Sequence, residues 1–196
     1  MIRYENFITA LQYFGFAKSG IPYMGVGRNL SYRKALFTSF TGFEKNKNLL
    51  SGDDDLFVNA VANAKNVEIC IDKDAFTYSN PEESFSDWLK QKKRHLRSGF
   101  HYKLIHQLLL FLFTGSLIFF YALFVVLLWQ GTSLSLVSGI FFGIIGMKLL
   151  LSFRVFEKLG QQDLRFFSPV LDLVYAGYLV ALFFLLLLQP KDHWKT

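Results

Sequence analysis

The distribution of apolar and polar positions divides the chain into two parts. Up to Lys103 the two kinds of residue are mixed, as in a water-soluble domain, whereas no Asp, Glu, Lys or Arg lies between Leu104 and Met147. Over residues 4–17, apolar side chains recur every three or four positions, a spacing that predicts an amphipathic helix. We therefore predict a soluble domain over residues 1–103 and a transmembrane region over 104–196.

Three stretches of the second part are long enough, as helices, to cross a hydrocarbon core of about 30 Å. These are residues 104–129, 134–151 and 170–189. Between the second and the third, residues 152–168 mix basic and aromatic side chains, which predicts an interfacial segment at the membrane surface. The pattern thus indicates a multi-pass membrane protein with about three transmembrane helices.

Shorter patterns in the first part predict a mixture of strands and helices. Residues 67–71 and 75–78 flank the turn-forming Asp-Lys-Asp and predict a hairpin, with Cys70 as a small buried residue. Residues 23–37 predict a strand that turns into a short helix. The remaining predictions are a solvated loop over 42–52, a helix that begins at the aspartates of 53–55, and a helix over 84–96.

The chain has a formal net charge of +6, and many of its basic residues lie immediately before the first apolar stretch. Basic residues mark the cytoplasmic side of a span and attract anionic lipids. When three spans are drawn, the basic cluster before residue 104 and the basic segment 152–168 fall on the same side of the membrane. This placement predicts a cytoplasmic soluble domain on the plasma (inner) membrane. No nucleic-acid-binding motif accompanies the charge, so we expect membrane lipids and no nucleic acid as partners. The cluster comprises Lys90, Lys92, Lys93, Arg94, Arg97 and Lys103.

Cysteine and histidine give no metal site in this chain. Cys70 is the single cysteine, which excludes a disulfide framework and a cysteine-based zinc site. His95, His101 and His106 are six and five positions apart and do not share one helix face. The predicted spans lack charge near their centres, which argues against a transporter with an ion relay.

Three adjacent carboxylates, Asp53, Asp54 and Asp55, form the most concentrated charge in the chain. Adjacent like charges destabilise a fold unless a cation, a substrate proton or a helix N-terminus offsets their repulsion. One interpretation is a helix start, with Asp53 as the cap and the other two in the first turn. The alternative is a catalytic base, because neighbouring carboxylates raise one another's pKa.

Three motifs followed by apolar spans resemble the C-terminal half of membrane-bound family 2 glycosyltransferases, the relatives of cellulose, hyaluronan and poly-N-acetylglucosamine synthases. Residues 27–34 (G-R-N-L-S-Y-R-K) resemble the strand beside donor sugar and acceptor, and residues 52–56 (G-D-D-D-L) the acidic motif with the catalytic base. Residues 91–95 (Q-K-K-R-H), just after Trp88, are similar to the Q-x-x-R-W motif. The resemblance implies an α/β fold, a partial GT-A domain followed by the membrane helices.

The activity implied is inverting transfer of a sugar from a nucleotide-diphospho-sugar to a lipid-linked or glycan acceptor at the cytoplasmic face. By alignment Asp54 is the base, and Asp53 stands where the family usually has glutamate. Asp55 is a rival for the base, because a triplet allows a shift of one residue in the alignment.

The substrate-binding candidates come from the other two motifs. Gln91 and Arg94 lie three positions apart on one helix face and would contact the pyrophosphate, although lipid binding is an alternative for Arg94. Trp88 and His95 accompany them, with His95 in place of the motif's tryptophan, which leaves processive synthesis open. Gly27, Arg28 and Asn29 would shape the acceptor side.

The family's metal-binding D-x-D motif has no counterpart here, since residues 1–51 contain only Glu5 and Glu44 as acids. The resemblance therefore implies a divalent metal, magnesium or manganese, held mainly by a separate N-terminal half. A split or truncated enzyme is the expectation. The rival hypothesis is a non-catalytic membrane anchor, partner subunit or degenerate remnant.

Overall fold

The structure is a computed structural model that describes residues 1–40 and 53–188, so the loop predicted over 42–52 lies outside the described residues. The described part is built from α-helices joined by extended segments and single 3-10 turns. The α-helices are α1 (Ile2–Lys18), α2 (Lys34–Ser39), α3 (Asp53–Val61), α4 (Phe85–Gly99), α5 (Leu104–Trp129), α6 (Leu134–Lys158) and α7 (Ser168–Leu188). The predicted helices in residues 4–17, at the aspartate triplet and in 84–96 are confirmed.

The three long helices α5, α6 and α7 form the apolar bundle, and each is long and apolar enough to cross a membrane. Helix α6 continues to Lys158 and so takes up the first half of the segment predicted to be interfacial. It ends where Gly160, at φ +66°, adopts the left-handed conformation of a helix C-terminus. Pro169 occupies the first turn of α7, where its missing N–H costs nothing.

The predicted α/β fold is wrong, because none of the described residues forms a β-strand. The stretch over 67–71 keeps the expected alternation, with Val67 and Ile69 half-buried and Glu68 exposed, but it has no neighbouring strand among the described residues. A strand needs a partner for its N–H and C=O groups. The proposed hairpin instead contains a 3-10 turn at Lys73–Ala75, and Cys70 is exposed rather than buried.

Helix α1 packs against one end of the apolar bundle. Tyr4, Phe7 and Ile8 of α1 form a buried cluster with Phe156 of α6 and Tyr175 of α7. The rings of Phe7 and Phe156 stack with centroids 4.0 Å apart. Burying one such side chain contributes roughly 1.5–3 kcal/mol, so this cluster fixes α1 to the bundle.

The other end of α1 contacts the segment that leads to the acidic helix. Phe16 lies 5.5 Å from Tyr23 and 6.3 Å from Phe113 of α5, measured between ring centroids. Tyr23 in turn belongs to a second buried cluster, with Leu56 of α3 and Tyr102. Helix α1 therefore connects the bundle to α3.

A polar cluster inside the bundle surrounds Asp172 of α7, whose exposed fraction is 3%. Tyr4 donates to its Oδ1 at 3.0 Å and Tyr121 of α5 donates to its Oδ2 at 3.2 Å. The ammonium of Lys148 on α6 forms an ion pair with Oδ2. A carboxylate in apolar surroundings requires such partners, so Asp172 joins four helices.

Replacing Lys148 by methionine should destabilise the protein, because it leaves the Asp172 carboxylate buried without a cation. The expected loss is about 3–5 kcal/mol of unfolding free energy, seen as a lower thermal midpoint in detergent. Lys158→Met, at the exposed end of the same helix, is the control and should change the midpoint little. The double variant Lys148→Met/Asp172→Leu should recover most of the loss, and equal midpoints for both single variants would refute this role.

Candidate functional site

The glycine motif and the acidic motif are in direct contact. The backbone N–H of Gly27 donates to Oδ2 of Asp54 at 2.6 Å, across 27 positions of sequence. A Cβ atom at Gly27 would lie 2.7 Å from the same oxygen, closer than any side chain permits. A side chain at position 27 would push the Asp54 carboxylate aside, so glycine permits this close approach. The contact aims the carboxylate at the 3-10 turn Gly27–Asn29.

The three carboxylates of the triplet occupy different surroundings. Asp53 is exposed, Asp54 is half-buried and Asp55 is buried, with an exposed fraction of 5%. Asp54 also accepts a hydrogen bond from the N–H of Asp55, Oδ1 to N at 2.9 Å, within the first turn of α3. Of the three, Asp54 is both fixed in place by backbone donors and accessible from outside.

Asp55 faces the protein interior. Burial, with a further contribution from the charge of Asp54, raises the pKa of Asp55 to about 6, although hydrogen bonds from Tyr102 and Ser98 act in the opposite direction. A carboxylate in this position contributes to the packing of α3 and has little access to an acceptor molecule. The rival assignment of Asp55 as the base thus has less geometric support than Asp54.

Asn59, one turn after Asp55 on α3, joins this helix to the segment around Tyr23 and to the start of α5. Its Nδ2 donates to the carbonyl of Tyr23 at 2.8 Å and lies 2.8 Å from Nδ1 of His106, while its Oδ1 accepts from the N–H of Lys103 at 2.9 Å. Because the amide supplies both donors, Nδ1 of His106 acts as the acceptor. This group was not predicted from the sequence, where its signal is a polar residue one turn after Asp55 on the apolar face of α3.

The third motif approaches the first two through His95. The pKa of His95 is lowered mainly by loss of hydration and also by the charges of Lys92, Arg94 and Arg28, whereas the charge of Asp54 acts to raise it. The imidazole thus lies within electrostatic range of both Asp54 and Arg28. The acidic motif, the glycine motif and the end of residues 91–95 share one region.

Two side chains of the glycine motif are engaged with the chain itself. The guanidinium of Arg28 donates to the hydroxyl of Ser79, and Nδ2 of Asn29 donates to the carbonyl of Ala75 at 2.9 Å. Both contacts are at the surface. In the structure these residues therefore hold residues 75–79 next to the Gly27–Asp54 contact.

The remaining candidates on α4 point to other contacts. Nε2 of Gln91 donates to Oε1 of Glu82 at 3.0 Å, and Arg94 is exposed. The indole of Trp88 lies 5.6 Å from the ring of Tyr178 on α7, between centroids. Trp88 therefore packs toward the apolar bundle and not toward the aspartates.

The donor set does not fit a metal ion. Nowhere in residues 1–40 and 53–188 do three or more His, Cys, Asp or Glu side chains come together in a way that could hold one. The three adjacent carboxylates point in different directions. Asp53 is exposed to solvent, Asp54 is directed toward Gly27, and Asp55 is buried in the interior. Magnesium or manganese would need oxygen ligands from outside these residues.

Replacing Gly27 by alanine should displace Asp54, because the added methyl occupies the space of its Oδ2. We expect a loss of about 1–3 kcal/mol in unfolding free energy, measured as a lower thermal midpoint. Gly15→Ala is the matched control, since nothing lies within 4 Å of a Cβ there and helix α1 should become slightly more stable. A Gly27→Ala variant as stable as this control would contradict the close contact.

The raised pKa of Asp55 predicts a stability that falls with pH in an acidic window. Between about pH 4 and 6 the folded protein keeps this proton while the unfolded chain, with a pKa near 3.9, loses it. Stability should therefore decline as the pH rises through this window, by about 2–3 kcal/mol, and level off above it.

Thermal midpoints of the wild type and of Asp55→Asn across the window test this behaviour. The variant, which has no carboxyl to ionise, should decline less than the wild type as the pH rises. Asp53→Asn, which alters an exposed carboxyl, should follow the wild type. Parallel curves for the wild type and Asp55→Asn would argue against a buried, titrating Asp55.

A comparison with models of known protein families identifies the family of this chain. A family model described as "Glycosyl transferase family group 2" matches residues 3–188, a range that includes the glycine motif, the acidic motif, residues 91–95 and the apolar helices. No curated protein and no solved structure matched the chain. On the strength of a match that extends over most of its length, the chain belongs to glycosyl transferase family group 2.

Proposed function

We propose that this glycosyltransferase moves a sugar from a nucleotide-diphospho-sugar to a lipid-linked or glycan acceptor, with inversion, at the cytoplasmic face of the plasma membrane. The observation that carries the proposal is the Asp54 carboxylate, half-buried and held by the Gly27 N–H at 2.6 Å where two of the motifs meet. Family membership supports the class of reaction, and the three apolar helices support a site next to a membrane.

Asp54 would act as the general base. Its two oxygens each accept one backbone hydrogen bond, which leaves acceptor capacity for a substrate hydroxyl. The acceptor's oxygen would attack the anomeric carbon while its proton passes to Asp54. The bond from that carbon to the diphosphate oxygen breaks, and the nucleoside diphosphate leaves with the electron pair.

The cations near His95 would favour the anionic donor. Loss of hydration lowers the pKa of His95, and the exposed guanidinium groups of Arg94 and Arg28 lower it further, which indicates a positive potential beside Asp54. Arg94 would pair with the diphosphate, and Gln91 would join it by exchanging its contact with Glu82 for one with the donor. A neutral His95 would then offer one donor and one acceptor to the substrate.

A magnesium or manganese ion and a separate N-terminal half remain part of the proposal. No group of described side chains is suited to hold the metal, so its ligands would come from other residues. The steps given above accordingly use only side chains of this chain.

A non-catalytic membrane subunit is the second candidate, and one set of contacts favours it. Arg28, Asn29 and Gln91, three of the predicted substrate-binding residues, make hydrogen bonds within the chain. A protein that only anchors a partner would keep these contacts permanently. The two candidates differ in whether Asp54 is needed for turnover.

Asp54→Asn should abolish transfer, because an amide cannot take the acceptor's proton although it can still accept from Gly27. We expect a loss of about 10²–10⁴-fold in turnover, measured in membranes with radiolabelled UDP-glucose, UDP-N-acetylglucosamine and GDP-mannose. Asp53→Asn is the matched control and should retain turnover within about threefold. Unchanged turnover of Asp54→Asn would refute the base assignment, and equal background labelling in all three proteins would favour the anchor.

A further inference from the structure

A buried ion pair connects α4, the helix that carries residues 91–95, to α1, which packs against the apolar bundle. Oε2 of Glu5 on α1 and Nζ of Lys92 on α4 are 2.8 Å apart, with side-chain exposed fractions of 10% and 17%. Lys92 is one of the six basic residues that the sequence analysis assigned to lipid attraction. In the structure it is directed inward.

A third helix completes the contact. The hydroxyl of Tyr178 on α7 donates to Oε1 of Glu5 at 3.0 Å, so both carboxylate oxygens are engaged. Trp88 of α4 packs on the ring of Tyr178, and the Lys92 ammonium lies 5.9 Å from the centroid of Trp88. Glu5, Lys92, Tyr178 and Trp88 thus link α1, α4 and α7, and we call them the α4 anchor.

The Glu5–Lys92 ion pair contributes more to the orientation of α4 than to the free energy of folding. A buried ion pair is often no more stabilising than apolar side chains of the same size, because both charges lose their hydration. What it adds is direction, since an ammonium and a carboxylate satisfy each other in few arrangements. The pair therefore specifies the rotation of α4 about its own axis.

Helix geometry translates that rotation into the orientation of the motif. Successive residues are about 100° apart, so Arg94 lies about 160° from Lys92, on the opposite side of α4. Gln91 is about 60° from Arg94 and about 100° from Lys92, and it is half-buried. With Lys92 fixed toward α1 and α7, Arg94 faces away from the bundle and Gln91 lies at the edge between the two faces.

We propose that Glu5 and Lys92 are positioning residues, whose ion pair sets the rotation of α4 and so presents Gln91 and Arg94 to the diphosphate of the donor. The inference rests on the proposed function for the identity of the ligand. It does not depend on that function for the orientation of α4, which can be measured without any substrate.

The chain offers a matched control on the same helix. Asp87 and Lys90 also form an ion pair at 2.8 Å, but their side chains are 54% and 68% exposed. Such a surface pair contributes little and makes no contact between helices. Lys90→Met therefore removes a charge and an ion pair from α4 without touching the α4 anchor.

The first experiment measures the orientation of α4 in the full chain in lipid nanodiscs. Spin labels on cysteines at exposed Ser86 of α4 and exposed Val170 of α7, with Cys70 replaced by serine, report the distance between the helices. Lys92→Met should shift or broaden the distance distribution, and the charge swap Glu5→Lys/Lys92→Glu should restore it in part. A distribution unchanged in Lys92→Met, or changed equally in Lys90→Met, would overturn the inference.

The second experiment measures transfer with the donors named above. Since the diphosphate is bound in both the ground state and the transition state, Lys92→Met should raise KM for the donor about tenfold and change kcat less than about threefold. The charge swap should lower KM again, which a loss of folded protein would not do. A shifted α4 with an unchanged KM would overturn the positioning role.

Failure of the proposed function gives a different result. It would appear as a wild-type protein that transfers no sugar even in membranes of its own host, where a separate N-terminal half would be present. The link to the donor would then be refuted, whereas the distance measurement would still decide whether the ion pair orients α4.

Discussion

Carboxylates removed from water must receive hydrogen bonds or a cation, and this requirement determines how the described helices are joined. Among residues 1–40 and 53–188, three acidic side chains are buried, and each interacts with at least one tyrosine. Asp172 accepts from Tyr4 and Tyr121 and pairs with Lys148. Glu5 accepts from Tyr178 and pairs with Lys92, and Asp55 interacts with Tyr102 and Ser98. Tyrosine suits this task because its ring packs among apolar residues while its hydroxyl reaches the carboxylate.

These interactions form a connected path from the membrane helices to the candidate site. Helix α1 contributes Tyr4 to the Asp172 cluster and Glu5 to the α4 anchor, and its far end packs on Tyr23. The carbonyl of Tyr23 in turn accepts from Asn59 on α3, the helix that carries Asp54. Both helices with candidate catalytic or binding residues are thus positioned by contacts that begin at α1.

Local sequence patterns predicted the helices and failed for the sheet. Continuous apolar runs predict helices such as α5 to within a residue, because such runs form helices through their own backbone hydrogen bonds. The stretch around Val67 and Ile69 has the correct alternation, but a sheet depends on a neighbouring strand, which a local pattern does not contain. The continuation of α6 to Lys158 was missed because its end is determined by Gly160, beyond the last apolar run.

The candidate site, like the fold, was predicted from the sequence only in part. The resemblance placed Gly27 and Asp54 in adjacent motifs, and the structure brings them into contact. It gave no indication that Lys92 lies inside the protein while Arg94 lies outside, since both read as members of one basic cluster. Which cation of such a cluster finds a carboxylate depends on helices distant in sequence.

The length of helix α1 fixes a distance within the molecule. Its 17 residues span about 25 Å, and its two ends are fixed, one in the bundle and one at Tyr23. Because Phe16 also packs on Phe113 of α5, the helix lies along the bundle and keeps the Asp172 cluster and the Gly27–Asp54 contact at a constant separation. Under the proposed function, an acceptor that enters from the lipid beside the Asp172 cluster would have to extend over this separation to reach Asp54.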